Sequence, residues 1–261
     1  MPALFLYALD VAVDPRDPLG SDRIAHVMER FGIIVGIALC SVLPSGCWMG
    51  ISVPIAAVVL SVKGTVLFGN AERNRFEPVT TKSLVRDGDT VRSMEGASVD
   101  LLLFPGAFAQ LAGNSEIKIE QLTMVKDGNE SSDGLRDRSA RIRLQRGKII
   151  ALFNGSDTTP SRLAITTRDL TATPNSDSLF AVWTDGTKAR VTCAKENVVA
   201  SGAGQPAITA SAGYFLRWPA SNTKPLAAAD DASAQIDVSQ SLQAGKQLQS
   251  EWSAWQNRRP F

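Results

Sequence analysis

The chain has 261 residues, 44% of them apolar and 20% charged, which is a globular balance with enough length for a sizeable core or two small domains. Lys plus Arg (27) nearly cancels Asp plus Glu (26), so no net field draws in a polyanion, and nucleic acid is not an expected partner. The single histidine, His26, lies near the N-terminus, so everything beyond it lacks the base of a Ser-His-Asp site and nearly all histidine metal chemistry.

Residues 31–43 carry no charge and follow Met28-Glu29-Arg30, the pattern of an export signal with a cation before its apolar core. Pro44-Ser45-Gly46-Cys47 then resembles a bacterial lipobox, with Pro44 where leucine is usual, and makes Cys47 the candidate for lipidation. Lipid attachment, an uncleaved membrane anchor and ordinary cleavage all fit residues 1–47, with Met28 a second candidate start. Ile51 to Val62 is apolar too, and with 31–43 it is long enough to cross a bilayer, although Pro44, Ser45-Gly46 and Pro54 interrupt it. Residues 48–61 are read as a tether.

From Val62 the period becomes two. Val99, Leu101 and Leu103 fall on one face, Ile117 and Ile119 alternate with Glu116 and Lys118, and Ile142 and Leu144 alternate with Arg141 and Arg143. Such strands bury one face and leave the other in water. Asp185-Gly186 is the strongest hairpin signal, and Asp87-Gly88 and Pro105-Gly106 are related turns. Many short strands with regular turns indicate a mainly β sandwich, jelly roll or small barrel.

Residues 126–138 are almost wholly polar and read as a long exposed loop, and 219–234 reads as a linker rich in Ala, Ser and Asp. Over 235–261, Val238, Leu242, Leu248, Trp252 and Trp255 share one arc of a helical wheel, so an amphipathic helix is expected there, docked on the β domain or offered to a partner.

Candidate chemistry is sparse. Cys193 alternates with polar residues and reads as a buried thiol. Asp87 and Asp89 could be the paired carboxylates of a glycosidase, but around a glycine they are more simply turn residues. Asp127, Asn129, Glu130 and Asp133 could offer oxygen to calcium, with a spacing unlike that of an EF-hand. Trp183, Tyr214 and Trp218 lie near strand ends and are the candidates for stacking on a sugar. No catalytic, metal or cofactor residue is assigned.

Gly64-Thr65-Val66, Gly88-Asp89-Thr90-Val91, Gly96-Ala97-Ser98-Val99-Asp100-Leu101 and Leu144-Gln145-Arg146-Gly147-Lys148 occur in that order. Together they make residues 62–218 resemble a FecR-type domain, a bacterial cell-envelope module. The resemblance implies a jelly-roll-like β-sandwich. Where the family has Gly-Thr-x-Phe-x-Val this chain has Asp177 to Val182, and where it has Glu-Gly this chain has Glu196-Asn197, so Asp177 and Asn197 are expected to take left-handed conformations. The family's relay to a sigma factor needs a cytoplasmic domain that 30 residues cannot supply. The expectation is a non-enzymatic, membrane-attached envelope protein facing the periplasm or exterior. It would bind a protein or a cell-surface glycan in a sensory, regulatory or scaffolding role. A truncated transmembrane regulator passing a signal to a cytoplasmic partner, or a glycan-binding module, is the alternative.

Overall fold

A computed structural model describes residues 51–126, 135–155, 159–202, 205–219 and 224–258. The signal or anchor segment, Cys47, the start site and most of the polar loop, including all four calcium candidates, lie outside the described residues. In chain order the strands are β1 (Ile51–Pro54), β2 (Ala57–Lys63), β3 (Val66–Asn70), β4 (Arg75–Pro78), β5 (Leu84–Val85), β6 (Thr90–Ser93), β7 (Ser98–Phe104), β8 (Ala107–Leu111) and β9 (Ser115–Lys126). They continue with β10 (Leu135–Phe153), β11 (Ser161–Thr166), β12 (Leu170–Pro174), β13 (Ser178–Thr184), β14 (Ala189–Lys195), β15 (Asn197–Gly202), β16 (Gln205–Ser211), β17 (Tyr214–Trp218) and β18 (Leu226–Ala227). A 3-10 turn over Ala228–Asp230 leads into the helix α1 (Ala232–Arg258).

Among the described residues, the first strand therefore lies at Ile51, inside the stretch read as a tether. Ile51–Pro54 pairs with the end of β9, and Ala57–Lys63 pairs with β5 and β7. Residues 51–62 are built into the β fold, so a membrane span over 31–62 is excluded for its second half. No described helix is long and apolar enough to cross a membrane. Similarly, the stretch read as a linker contains β18 and the start of α1. Asp231 explains that start: its Oδ1 accepts the Ala234 N–H at 2.8 Å, an N-cap that satisfies a helix donor with no partner in the helix.

The strands form two layers. The first sheet runs β4-β3-β6-β9-β10-β11-β12-β15-β16, with β1 also beside β9. The second runs β5-β2-β7-β8-β10-β13-β14-β17-β18. The β10–β11 pair is parallel among antiparallel neighbours, so the sheet is mixed, and it does not close on itself. β10 belongs to both layers: residues up to Arg146 pair with β9 and those from Gly147 pair with β13. Gly147 makes that corner possible, with φ +86° and Ser115 packed where a side chain would begin.

Between the layers, Val91, Ile117, Ile119, Ile142, Leu144 and Ile165 of the first sheet meet Val99, Leu101, Leu111, Ile149, Phe180 and Val182 of the second. The outer face of the second sheet is not in water as alternation implied. Leu60, Leu102, Phe108, Ile150, Leu152 and Leu179 are buried there with Ala244 and Leu248 of α1. That is why Ile149 to Phe153 and Leu179 to Val182 read as continuous apolar runs, the signature of strands covered on both faces.

The turn reading of the glycines agrees with the backbone, since Gly64, Gly88, Gly96 and Gly106 all have positive φ between strands. The Asp185-Gly186 turn is wider than a two-residue hairpin, because Thr184 pairs with Ala189. Asp185 organises it: its carboxylate accepts from the Lys188 N–H (2.7 Å), the Thr187 N–H (2.8 Å) and the Thr187 hydroxyl (2.8 Å), which hold its pKa down at about 2. Left-handed strain falls on Glu196 (φ 59°) rather than on Asn197 or Asp177. The Asp177 carboxylate instead receives the Gly155 N–H at 2.7 Å, tying two loops together.

Candidate binding site

The outer face of the first sheet is solvent-exposed and polar. Because Ala140, Ile142 and Leu144 are buried in the core, the alternating Ser139, Arg141 and Arg143 of β10 point outward. Register carries this row sideways. Arg141 lies opposite Gln121 of β9 and beside Ala164 of β11, Arg143 opposite Lys118 and beside Thr166, and Ser139 beside Arg162. Thr166 in turn pairs with Thr171 of β12, and Thr171 with Ser201 of β15.

A register shift at Arg141/Ile142 leaves Glu120 as an extra residue on β9. Such a bulge re-aims its side chain, and the Glu120 carboxylate receives the Arg143 Nε–H. The result is a groove of about 860 Å³ whose lining includes Arg141, Arg143, Arg162, Ser139, Thr123 and Thr173. A smaller hollow of about 310 Å³ adjoins it, sharing Arg143, Thr166 and Thr171 and adding Arg168. Among the described residues, no carboxylate forms an ion pair with Arg141 or Arg162. Guanidinium groups beside hydroxyls suit carboxylate, sulfate or phosphate groups, which accept planar, charge-assisted hydrogen bonds. The groove is not lined by any aromatic ring.

The residues singled out for glycan stacking do not assemble into one surface. Trp218 is buried at 6% exposure in the core, and is unavailable to a sugar. Tyr214 lies on that same side of β17 but at the sheet margin, 44% exposed. Trp183 faces the opposite side of the second sheet, half-buried, with the Arg190 guanidinium 5.5 Å from its ring centre. Alternation places a residue on a face but cannot say which face a helix will cover. That is why the three looked equivalent.

Asp87 and Asp89 are held as turn residues. The Asp89 carboxylate accepts the Arg86 N–H at 2.8 Å, and the Asp87 carboxyl accepts a backbone bond from Leu122 while burial raises its pKa. Both border an open hollow of about 870 Å³ beside Phe76 and Leu84. Cys193 is fully buried, and desolvation pushes its thiol to a pKa of about 11, the reverse of what a nucleophile needs. No cluster of metal-ligating side chains occurs among the described residues.

The polar face of α1 carries groups that the sequence did not single out. Asp237, buried at 3% exposure, accepts from Arg190 Nη2 at 2.6 Å, Arg190 Nε at 2.9 Å and Lys148 Nζ at 3.2 Å. One helical stretch further on, Gln247 Nε2 donates to Asp100 Oδ2 at 2.8 Å, and Asp100 also accepts from Ser61 (2.6 Å) and Gln110 (2.8 Å). Gly245 lets the helix come this close, since a Cβ there would lie 2.9 Å from Leu179 Cδ2. Leu248 is buried, with Trp252 edge-on to Phe108 at 5.7 Å and stacked on Trp255 at 5.1 Å. Leu242, expected on this face, is 45% exposed, because the docked face centres on Asp237, Ser241, Ala244 and Leu248.

Glu251 completes this contact, and its pKa is raised, first by burial and also by the neighbouring charge of Asp100. The folded state therefore holds this proton more tightly than the unfolded chain. Its contribution to stability is fully present below the ordinary glutamate range and is lost as pH rises through the raised folded pKa. Glu251→Gln is expected to flatten the stability profile between pH 4 and pH 7 and to leave the protein more stable at pH 7 than the parent. Denaturant melts at the two pH values check this; an unchanged difference between them would count against the assignment.

Comparisons with known proteins give only a weak, partial structural likeness. No family model matches the chain, and no curated relative matches it. Two crystal structures of a candidate anti-sigma factor from Parabacteroides distasonis are similar at 11% identity and a TM-score of 0.36. Each match covers 52% of this chain and 57% of that one, so this chain spans little more than half of that protein's length.

Proposed function

We propose that this chain is a non-catalytic, envelope-displayed binding protein built on a jelly-roll-like FecR-type domain, which engages an acidic segment of a partner protein in a sensory, regulatory or scaffolding role. The observation that carries this reading is the pair Arg141 and Arg162, beside the Glu120-paired Arg143, in a groove on the exposed sheet face that is lined by hydroxyls and by the carboxylates of Glu120 and Asp137. A rigid sheet fixes the backbone spacing of these groups, so binding has to order only their side chains. The attachment is by lipid on Cys47 or by a retained hydrophobic segment. In either case the membrane-embedded part ends before Ile51, where β1 begins.

A protein is favoured over a neutral glycan because the groove offers no ring for sugar stacking, and the exposed Tyr214 lies on a different sheet. A transmembrane regulator is the second reading, favoured only if residues 31–50 stay attached. Intact mass of the protein from its own membranes separates these: a chain starting at a lipidated Cys47 excludes a cytoplasmic portion.

The groove is tested by calorimetric titration with a glutamate-rich peptide at low and at physiological salt. Binding that weakens with salt, and falls at least about tenfold in Arg141→Glu/Arg143→Glu/Arg162→Glu, is expected. Equal binding by the parent and the triple variant, or none by the parent, would remove the groove as the site.

A further inference from the structure

The groove already holds a carboxylate. Along β9 the buried side chains run Ile117, Ile119 and Leu122, so an extra residue lies between the last two. Register identifies it. Gln121 lies opposite Arg141 and Ile119 opposite Ile142, which leaves Glu120 with no counterpart on β10. Glu120 and Gln121 consequently both line the groove, where an evenly paced strand would present only one of them. A bulge gives up regular pairing, and such features collect beside functional sites, where they re-aim a side chain.

Glu120 Oε1 accepts from the Arg143 Nε–H, and its other oxygen lies 3.5 Å from the Thr166 hydroxyl. The two side chains keep 22% and 49% exposure, so this is a surface pair that adds little to folding. What it changes is the groove. Arg141 and Arg162 have no carboxylate partner among the described residues, whereas Arg143 has one. Arg143 is also the one arginine of the three that lines the adjoining hollow as well. Glu120 lines the groove and not the hollow, so it meets Arg143 on the side from which a groove ligand comes. An acidic segment spanning Arg141 and Arg143, about 7 Å apart along the strand, meets one free guanidinium and one occupied one.

We propose that Glu120 is a built-in competitor of the groove: a carboxylate of the chain itself that occupies Arg143 in place of the partner's and is displaced when an acidic segment binds. This role rests on the groove being a site for acidic segments, and it sets how tightly the site holds them. A partner carboxylate offers Arg143 the same charge-assisted bond that Glu120 makes. Arriving beside Glu120 it also repels it, since neighbouring carboxylates disfavour each other's ionised form. Exchange gives up only the small net value of an exposed pair, so Glu120 lowers affinity by a modest factor and does not close the site.

The test is calorimetric titration of the full chain with the glutamate-rich peptide at low salt, for the parent, Glu120→Gln, Arg143→Gln and the double variant. Glutamine keeps the shape of Glu120 and removes its charge, and circular dichroism of each variant should match the parent. Glu120→Gln is expected to bind about two- to fivefold more tightly, the span of an exposed ion pair. In the Arg143→Gln background the same change should gain nothing, because no guanidinium is left to compete for. As a second measurement, heteronuclear NMR of the parent should show the Arg143 Nε–H resonance shifting as peptide is added. A parent that does not bind the peptide removes the groove and the role of Glu120 together. A parent that binds, with Glu120→Gln equal to it or weaker, keeps the groove and overturns the competitor; weaker binding would make Glu120 a residue that positions Arg143. A gain that persists without Arg143 is general charge repulsion and overturns it too, as does binding that leaves the Arg143 resonance unmoved.

Discussion

Replacing Asp237 with alanine is expected to cost about 3–5 kcal/mol of folding stability, because it strands two partly buried cations. Arg190 and Lys148 retain only 14% and 18% side-chain exposure, and Asp237 retains 4%. Thr192, fully buried, also turns its hydroxyl toward Asp237 at 3.4 Å. Without the carboxylate, the guanidinium and ammonium would have to stay desolvated and unpaired or lift α1 off the second sheet. The second course exposes Leu152, Leu179 and Phe108, which the helix now helps cover. The loss should thus appear both in denaturant unfolding and as faster proteolysis within residues 232–258. Asp237→Ala combined with Arg190→Met and Lys148→Met should recover part of it, since an apolar replacement of the whole set leaves no orphaned charge. A loss below about 1 kcal/mol, the value of an exposed pair, would show that water reaches the cluster.

Gly147→Ala should be nearly as damaging, for reasons of backbone rather than charge. At φ +86° an alanine pays about 1–2 kcal/mol for the left-handed region. Its Cβ would also lie 2.1 Å from Ser115 Oγ and 2.5 Å from Ser115 Cα, so one of two paired strands must shift. Ser115 is not free to move, since its hydroxyl accepts the Lys148 N–H at 2.9 Å and donates to the Gly113 carbonyl at 3.1 Å. Overpacking of this kind adds about 1–3 kcal/mol, for a total near 3 kcal/mol. Urea unfolding measures it. Ser115→Gly in the same chain should return the side-chain part of the clash while leaving the φ penalty; a single variant with parental stability would mean β10 can bend elsewhere.

Much of the β domain was readable because strand chemistry is local. Alternation marked Val99, Leu101, Ile117, Ile119, Ile142 and Leu144 as core, and they are buried. Glycines 64, 88, 96 and 106 marked turns because a residue with no Cβ takes positive φ without strain. The same locality explains the misses. Ile51 to Val62 looked like a tether because hydrophobicity alone does not distinguish a membrane-proximal run from two strands whose partners lie at residues 84–126. Leu242 and the stacking candidate Trp218 were misplaced because which side of a helix or strand is covered depends on the neighbour, not on the period.

What the sequence determined by itself is the mainly β class, the turn positions, the terminal helix and the absence of a histidine base beyond residue 26, each set by residue type and spacing within a short window. Only the tertiary structure decided the rest. Pairing across long separations brings Arg141 and Arg162 to one groove, carries β10 from one sheet to the other at Gly147, and sets Asp237 against Arg190 and Lys148. Registers and buried ion pairs are relations between distant residues. Their energy appears only once the chain has closed on itself and removed them from water.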